Sequence, residues 1–312
     1  MDNLILSFNV VLPLFVCIAL GYALRLMQML DEATQKKLNK LCFRVFLPIY
    51  VFNNIYTTSI SEAFNLKLIS LTMGGVLGIF ALLMVFIPRI EQDNAKRGVM
   101  IQAIFRSNYV LFGLPVAISL SGEGNVGPTS LLIGLVVPIF NVLAVVCLET
   151  FRGSKPDVKK MLKGIATNPL IIASVLGLLM NAANVTLMTG IQKSITDLGR
   201  VATPLALVAL GAGFQFRRIR GYVRQLVICI SGKLIVVPLI MVALGAALGL
   251  RGELLVPVLV LFASPIATSS YTMAEQMDGD GTLAASLVVL TTALSIFTMF
   301  LFIFALKQLG LV

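Results

Sequence analysis

Val99-Met100-Ile101-Gln102-Ala103-Ile104-Phe105-Arg106-Ser107-Asn108-Tyr109-Val110-Leu111-Phe112-Gly113-Leu114-Pro115-Val116-Ala117-Ile118-Ser119-Leu120 is long and apolar enough to cross a bilayer, yet it is interrupted at its middle. Asn108 and Gly113-Leu114-Pro115 stand where a membrane helix should run on. A second stretch, 254–277, carries the same kind of interruption, Ser264-Pro265 and then Thr268-Ser269-Ser270. Backbone N–H and C=O groups freed inside lipid cost roughly several kcal/mol each unless protein or cavity water satisfies them. A matched pair of broken spans, one in each half of a chain, points to the binding site of a secondary transporter.

The surroundings agree with that reading. The chain is 58% hydrophobic and 12% charged, with a mean hydropathy of +0.98, whereas soluble domains carry about 25% charge. Apolar runs of roughly membrane-crossing length recur at 4–26, 38–57, 68–88, 99–120, 129–148, 169–187, 194–214, 226–250, 254–277 and 282–304. The longest gap, 149–168, leaves no room for a soluble domain. The acidic Met1-Asp2-Asn3 and the long run after it read as a first span, not a cleaved signal. Cys17, Cys42, Cys147 and Cys229 lie within spans, without metal-ligand spacing or a disulfide framework.

The net charge of +10 is distributed asymmetrically. Arg25, Lys36, Lys37, Lys40, Arg89, Lys96, Arg97, Arg152, Lys155, Lys159, Lys160, Lys163, Arg217, Arg218, Arg220 and Arg224 follow odd-numbered spans; Lys67, Lys193, Arg251 and Lys307 lie on the other side. Short basic loops stay in the cytoplasm. This predicts a multi-pass protein of the cell (plasma or inner) membrane with both termini extracytoplasmic. Anionic lipid explains the basicity better than nucleic acid does. Ten spans divide as five and five. An odd number inverts the second half, so the expected fold is all-α and polytopic, two inverted five-helix repeats with broken, crossing helices 4 and 9. Residues 1–150 form the first repeat, 151–168 a basic cytoplasmic loop and 169–312 the second repeat. Arg44 and Arg200, each four residues before a proline (Pro48, Pro204), are a weak internal match.

Several residues offer chemistry. Asn108 can donate and accept, Gly113 permits close backbone approach, and Pro115 frees a carbonyl one turn earlier. Ser264 and Pro265 break the second span, where Thr268, Ser269 and Ser270 supply hydroxyls. Half-helix N-termini meeting at such a crossing favour an anionic group; a proline kink healed by Ser/Thr back-bonding is the bland alternative. The cations Arg44, Arg106, Arg200 and Lys233 fall inside spans, at ~2.5–3.5 kcal/mol for one at the bilayer centre. Arg44 and Arg200 can snorkel to an interface, and Asp197 is placed to pair with Arg200. Arg106 lies two residues before Asn108, and Lys233 is far from both ends of its span. No acid sits at a midplane and there is no His, which weighs against a cation substrate. No Walker A motif, metal site or nucleophile with its base appears, so the chain reads as a carrier and not an enzyme, with no cofactor. Coupling to H⁺ or Na⁺ stays open.

The segment Leu38-Asn39 to Phe46-Leu47-Pro48, the run Asn108-Tyr109-Val110-Leu111-Phe112-Gly113-Leu114-Pro115, Glu149 with Arg152-Gly153, Leu210-Gly211, Lys233 with Pro238, and Ala263-Ser264-Pro265 to Ala274-Glu275-Gln276 occur in an order that resembles the auxin efflux carrier family, over essentially the whole chain. The family includes plant PIN-type carriers and bacterial organic-acid permeases. The resemblance implies a sodium/proton antiporter-like fold, in which spans 1, 2, 6 and 7 form a scaffold and homodimer contact. Spans 3–5 and 8–10 would form a transport domain that moves as an elevator, with Asn108 contacting substrate. The long loop of the plant carriers after span 5 is absent, and Ser270 stands where their second crossover proline aligns, so the bacterial permeases are the better analogue. The expectation is a carrier for a small carboxylate, malate- or malonate-like or auxin-like. Arg106 or Lys233 would neutralise it, Asn108 and Thr268–Ser270 would hydrogen-bond it, and Gly113, Pro115, Ser264 and Pro265 would shape the crossing. The membrane potential, worth ~2.3 kcal/mol per charge per 100 mV, favours anion export. A non-translocating sensor, an exporter of an amino acid or other cation, and an integral membrane enzyme are the alternatives.

Overall fold

The computed structural model describes residues 2–57, 65–122, 127–153, 162–164, 166–214 and 221–312, with side chains from Leu12 onward. Lys155, Lys159 and Lys160 of the basic loop and Arg217, Arg218 and Arg220 lie outside the described residues. The helices in chain order are α1 (Asp2–Leu26), α2 (Glu32–Leu41), α3 (Leu47–Tyr56), α4 (Leu66–Ile90), α5 (Asn94–Phe105), α6 (Leu114–Ser121), α7 (Gly127–Thr150), α8 (Pro169–Ala182), α9 (Thr189–Gly213), α10 (Val223–Ser231), α11 (Val237–Ala247), α12 (Val256–Ala263), α13 (Ser269–Gln276) and α14 (Gly281–Gln308). No strand occurs among the described residues, and helix makes up most of each apolar run of the sequence. Six helical units there are long and apolar enough to cross a membrane: 66–90, 94–121, 127–150, 189–213, 223–247 and 281–308. Shorter apolar helices cover Leu12–Leu26, Pro169–Ala182 and Gly252–Ala263. This is a polytopic helical membrane protein.

Helix starts follow from short polar side chains that accept orphan N–H groups. Asp31 caps α2 through Thr34 N (2.7 Å), Asn65 caps α4 through Leu68 N (3.0 Å), and Asp280 caps α14 through Leu283 N (2.9 Å). Leu77, Leu82, Val85 and Phe86 point outward from α4, as lipid in place of water permits. The buried hydroxyls of Thr72, Thr291 and Thr292 inside the spans donate to carbonyls one turn earlier, which pairs them without water.

Three prolines leave a common local signature. Pro48, Pro115 and Pro238 each follow a π-helical turn: Cys42–Phe46, Tyr109–Gly113 and Gly232–Val236. In each, the N–H one residue before the proline bonds the carbonyl five residues back: Leu47 to Cys42, Leu114 to Tyr109, Val237 to Gly232. A proline lacks an N–H and its ring collides with the carbonyl four residues earlier; widening the turn by one residue relieves both. Pro204 shows no such turn, and α9 runs through it unbroken. The Arg-x-x-x-Pro match between spans 2 and 7 therefore does not extend to the backbone. Arg44 is exposed, and Arg200 lies exposed 3.7 Å from Asp197.

Helices α1, α2, α3, α8 and α9 pack on one another, and α4, α5, α7 and α10–α14 form a second group with α6 against α12. The two groups meet where α7 touches α3 and α8, and where α13 and α14 touch α9 and α1. The contact of α1 with α9 is backbone to backbone. A Cβ on Gly21 would lie 2.1 Å from the Val208 carbonyl oxygen, and one on Gly211 would lie 2.0 Å from that of Ile18. Arg25 at the end of α1 donates to the Ala212 carbonyl near the end of α9 (2.8 Å). Ile18 and Gly21 meet Gly211 and Val208, and Arg25 at the end of α1 reaches Ala212 at the end of α9, so the two helices end on the same side and run the same way. Small residues at such a contact let van der Waals attraction act between backbones in lipid.

Gly21→Ala and Gly211→Ala force these backbones apart, an overpacking cost of ~1–3 kcal/mol. Both should lower the thermal midpoint of the purified protein in detergent by several degrees. Gly78→Ala, with nothing within 4 Å of the added carbon, should leave it unchanged.

Candidate functional site

The two broken stretches cross, and one hydrogen bond joins their backbones: Asn108 N–H donates to the Pro265 carbonyl (2.8 Å). On one side α5 ends at Phe105, Arg106–Asn108 are non-helical, and the π turn and α6 resume the span. On the other, α12 ends at Ala263, Ser264–Thr268 bridge the gap, and α13 resumes. Around the crossing other freed groups are satisfied. Ser264 Oγ donates to the Val260 carbonyl, Thr291 Oγ1 on α14 accepts Ile266 N–H (3.3 Å), and Gln102 Nε2 donates to the Ser270 carbonyl (3.3 Å). Gly113 is required by the close approach: a Cβ there would lie 3.1 Å from Ser264 Oγ and 3.3 Å from the Val260 carbonyl oxygen.

A cavity of about 50 Å³ opens beside the crossing. Arg106, Asn108, Thr268 and Ser269 line it, with Tyr50, Asn141 and Thr203 from the neighbouring helices. It lies between the two packed groups of helices. By the same measure a water needs ~10–15 Å³, so the space admits a compact ligand. Residues from the first turns of both resumed half-helices, Tyr109 to Leu111 and Ser269, face it, and a helix N-terminus carries partial positive charge. Asn108 is only 4% exposed, and its Nδ2 has no hydrogen-bond partner among the described residues. A buried amide donor left unpaired costs ~1–3 kcal/mol. A larger groove of about 630 Å³ between α11 and α14 is walled almost wholly by apolar side chains such as Leu234, Leu239 and Phe302; it lacks the polar groups that orient a ligand.

Arg106 is the charge at this cavity. Its guanidinium is buried and held by neutral groups: Gln102 Oε1 (3.0 Å), Asn141 Oδ1 (2.8 Å) and Ser269 Oγ (2.9 Å), with Met273 Sδ against the same nitrogen as Gln102. No carboxylate lies within ion-pair distance of it among the described residues. The C-terminus of α5 offsets about half a charge, which leaves the site positive.

Of the residues the sequence singled out, Lys233 and Ser270 do not line the cavity. Lys233 is fully buried in the π turn of span 8, and its ammonium donates to Ser107 Oγ, next to Arg106. Ser270 lies within α13; its carbonyl accepts from Gln102 and its hydroxyl is buried without a partner. Gly113, Pro115, Ser264 and Pro265 shape the crossing but do not face the cavity. Asn141 and Gln102 were missed. Asn141 is the lone amide of its apolar span and Gln102 lies one turn before Arg106, signals the sequence contains and a search for charges and breaks passes over.

A model of a family described as membrane transport proteins matches residues 6–303. This chain belongs to that family, the auxin efflux carriers its motifs resemble. It is 28% identical over 301 residues to an uncharacterized transporter of Methanothermobacter thermautotrophicus, covering 93% of this chain and 95% of the relative. It is 25% identical over 297 residues to a Rhizobium meliloti protein named "Putative malonate transporter", covering 93% and 92%. The family is one of carriers, so the chain is a multi-pass membrane transport protein.

A buried ammonium without an anionic partner is costly. Lys233→Met, which keeps the volume and removes the charge, should leave the thermal midpoint in detergent at or above that of the wild type. Gly113→Val should lower it sharply. A steep fall in Lys233→Met would show that the ammonium is a needed tie at the crossing.

Proposed function

We propose that this carrier moves a small organic anion, a carboxylate of malonate or malate size, bound beside the crossing of spans 4 and 9. The observation that carries the reading is Arg106: a buried guanidinium at the wall of a cavity, surrounded by neutral acceptors and with no carboxylate partner among the described residues. A carboxylate ligand that displaces Ser269 Oγ or Met273 Sδ from the guanidinium supplies the missing charge through a charge-assisted hydrogen bond, the Asn108 amide supplies a donor, and the two half-helix N-termini add to the field. The small cavity favours a compact acid over a ring-bearing one, and the name of the Rhizobium relative points the same way.

The same reading takes the chain as ten spans in two inverted repeats, with both termini extracytoplasmic in the cell membrane. The shared direction of α1 and α9 supports it, since first and seventh spans run the same way. The cavity's position between two packed groups of helices supports an elevator: α1–α3, α8 and α9 hold still, as scaffold and homodimer contact, while the crossing moves past them with its ligand. Transport needs no resident cofactor in this scheme. H⁺ or Na⁺ coupling is settled by imposing those gradients.

Uptake of labelled malonate and malate into proteoliposomes, with a neutral sugar as control, tests the reading. Saturable acid flux should fall at least tenfold in Arg106→Met and Asn108→Ala and persist in Arg44→Met. Flux of arginine or another cation in place of the acids would favour a cation exporter, and saturable binding without flux would favour a sensor.

A further inference from the structure

Four helices contribute to the setting of Arg106. Gln102 lies one turn before it on α5, Asn141 on α7 and Ser269 on α13. Asn141 in turn donates through Nδ2 to Ser174 Oγ on α8 (3.3 Å), and Ser174 Oγ donates to the Leu170 carbonyl (2.8 Å). Gln102 likewise donates through Nε2 to the Ser270 carbonyl. Both amides are at least 99% buried and anchored on their donor side, so their oxygens are the atoms turned to the guanidinium. A carboxylate would fit either position by shape. It would hold Arg106 as well or better, through a charge-assisted bond, and it would also cancel the charge. What the amides do that acids would not is leave the guanidinium positive while their own N–H groups donate to Ser174 Oγ and the Ser270 carbonyl.

We propose that Asn141 and Gln102 are positioning residues that set the charge selectivity of the site: as neutral acceptors they hold Arg106 in place while keeping its charge for a dianionic ligand, a compact dicarboxylate or similar oxyanion. This rests on the reading of Arg106 as the anion contact. The two positions differ usefully. Asn141 also lines the cavity, so an acid there meets the ligand as well as Arg106. Gln102 does not line it, so an acid there acts through Arg106.

The test is the binding of malonate, a dianion, and of malonamate, its monoanionic amide of the same shape, to wild type, Asn141→Asp and Gln102→Glu purified in detergent and shown to be monodisperse. The wild type should prefer malonate. Both variants should weaken malonate at least tenfold and malonamate distinctly less, which collapses the ratio of the two dissociation constants. A loss of packing alone would weaken both ligands by one factor. Equal weakening of the two ligands, or an unchanged ratio in either folded variant, overturns the inference while leaving the carrier reading in place. If Asn141→Asp does not fold, Gln102→Glu decides by the same ratio. A wild type that binds neither acid overturns the anion reading and the inference with it.

Discussion

The hydrogen bond from Asn108 N–H to the Pro265 carbonyl holds together two helices that would otherwise expose unpaired backbone inside a membrane. Lipid offers no donor or acceptor, so a break in a span survives only where protein supplies the partners. Here each break supplies part of the other's need, and Thr291 and Gln102 supply more. The close approach that this requires explains Gly113, and the widened turn before Pro115 explains how the first span recovers its helical course. The crossing is thus a packing solution first. Its functional consequence is that two half-helix N-termini and a polar cavity come to lie within the membrane.

Charge is the second constraint. Arg106 and Lys233 converge on neighbouring residues of the same break, one toward the cavity and one behind it against Ser107. Among the described residues neither has a carboxylate partner. Removing one member of a buried ion pair costs about 3–5 kcal/mol because a charge is left uncompensated, and the crossing carries that kind of excess positive charge. On the proposed reading, an anionic ligand completes the electrostatics of the site.

Much of the architecture was legible from residue order. Asn108 and Pro265 marked the two breaks, whereas Gly113 and Pro115 fall in the π turn and helix that resume the first span, and the length of the apolar runs placed helix in each of the ten. The embedded Arg106 and Asn108 were visible as polar residues where lipid forbids them, and the structure places both at the cavity. Side-chain direction was not legible. Lys233 and Ser270 sit in the right spans, but the π turn at Gly232–Val236 and the helical register of α13 turn them elsewhere. Asn141 was hidden for another reason: a single amide in an apolar span is common, and only its 2.8 Å contact with Arg106 gives it meaning.

The most direct test of the crossing as an anion site is ligand protection at Ala267, which lines the cavity without hydrogen-bonding Arg106. In Ala267→Cys, with the four native cysteines replaced, the rate of alkylation would be measured in membranes with and without malonate, malate and matched amines. The account predicts that a carboxylate slows alkylation saturably, that amines do not, and that Arg106→Met abolishes the protection. Protection by an amine, or carboxylate protection that survives Arg106→Met, would contradict it.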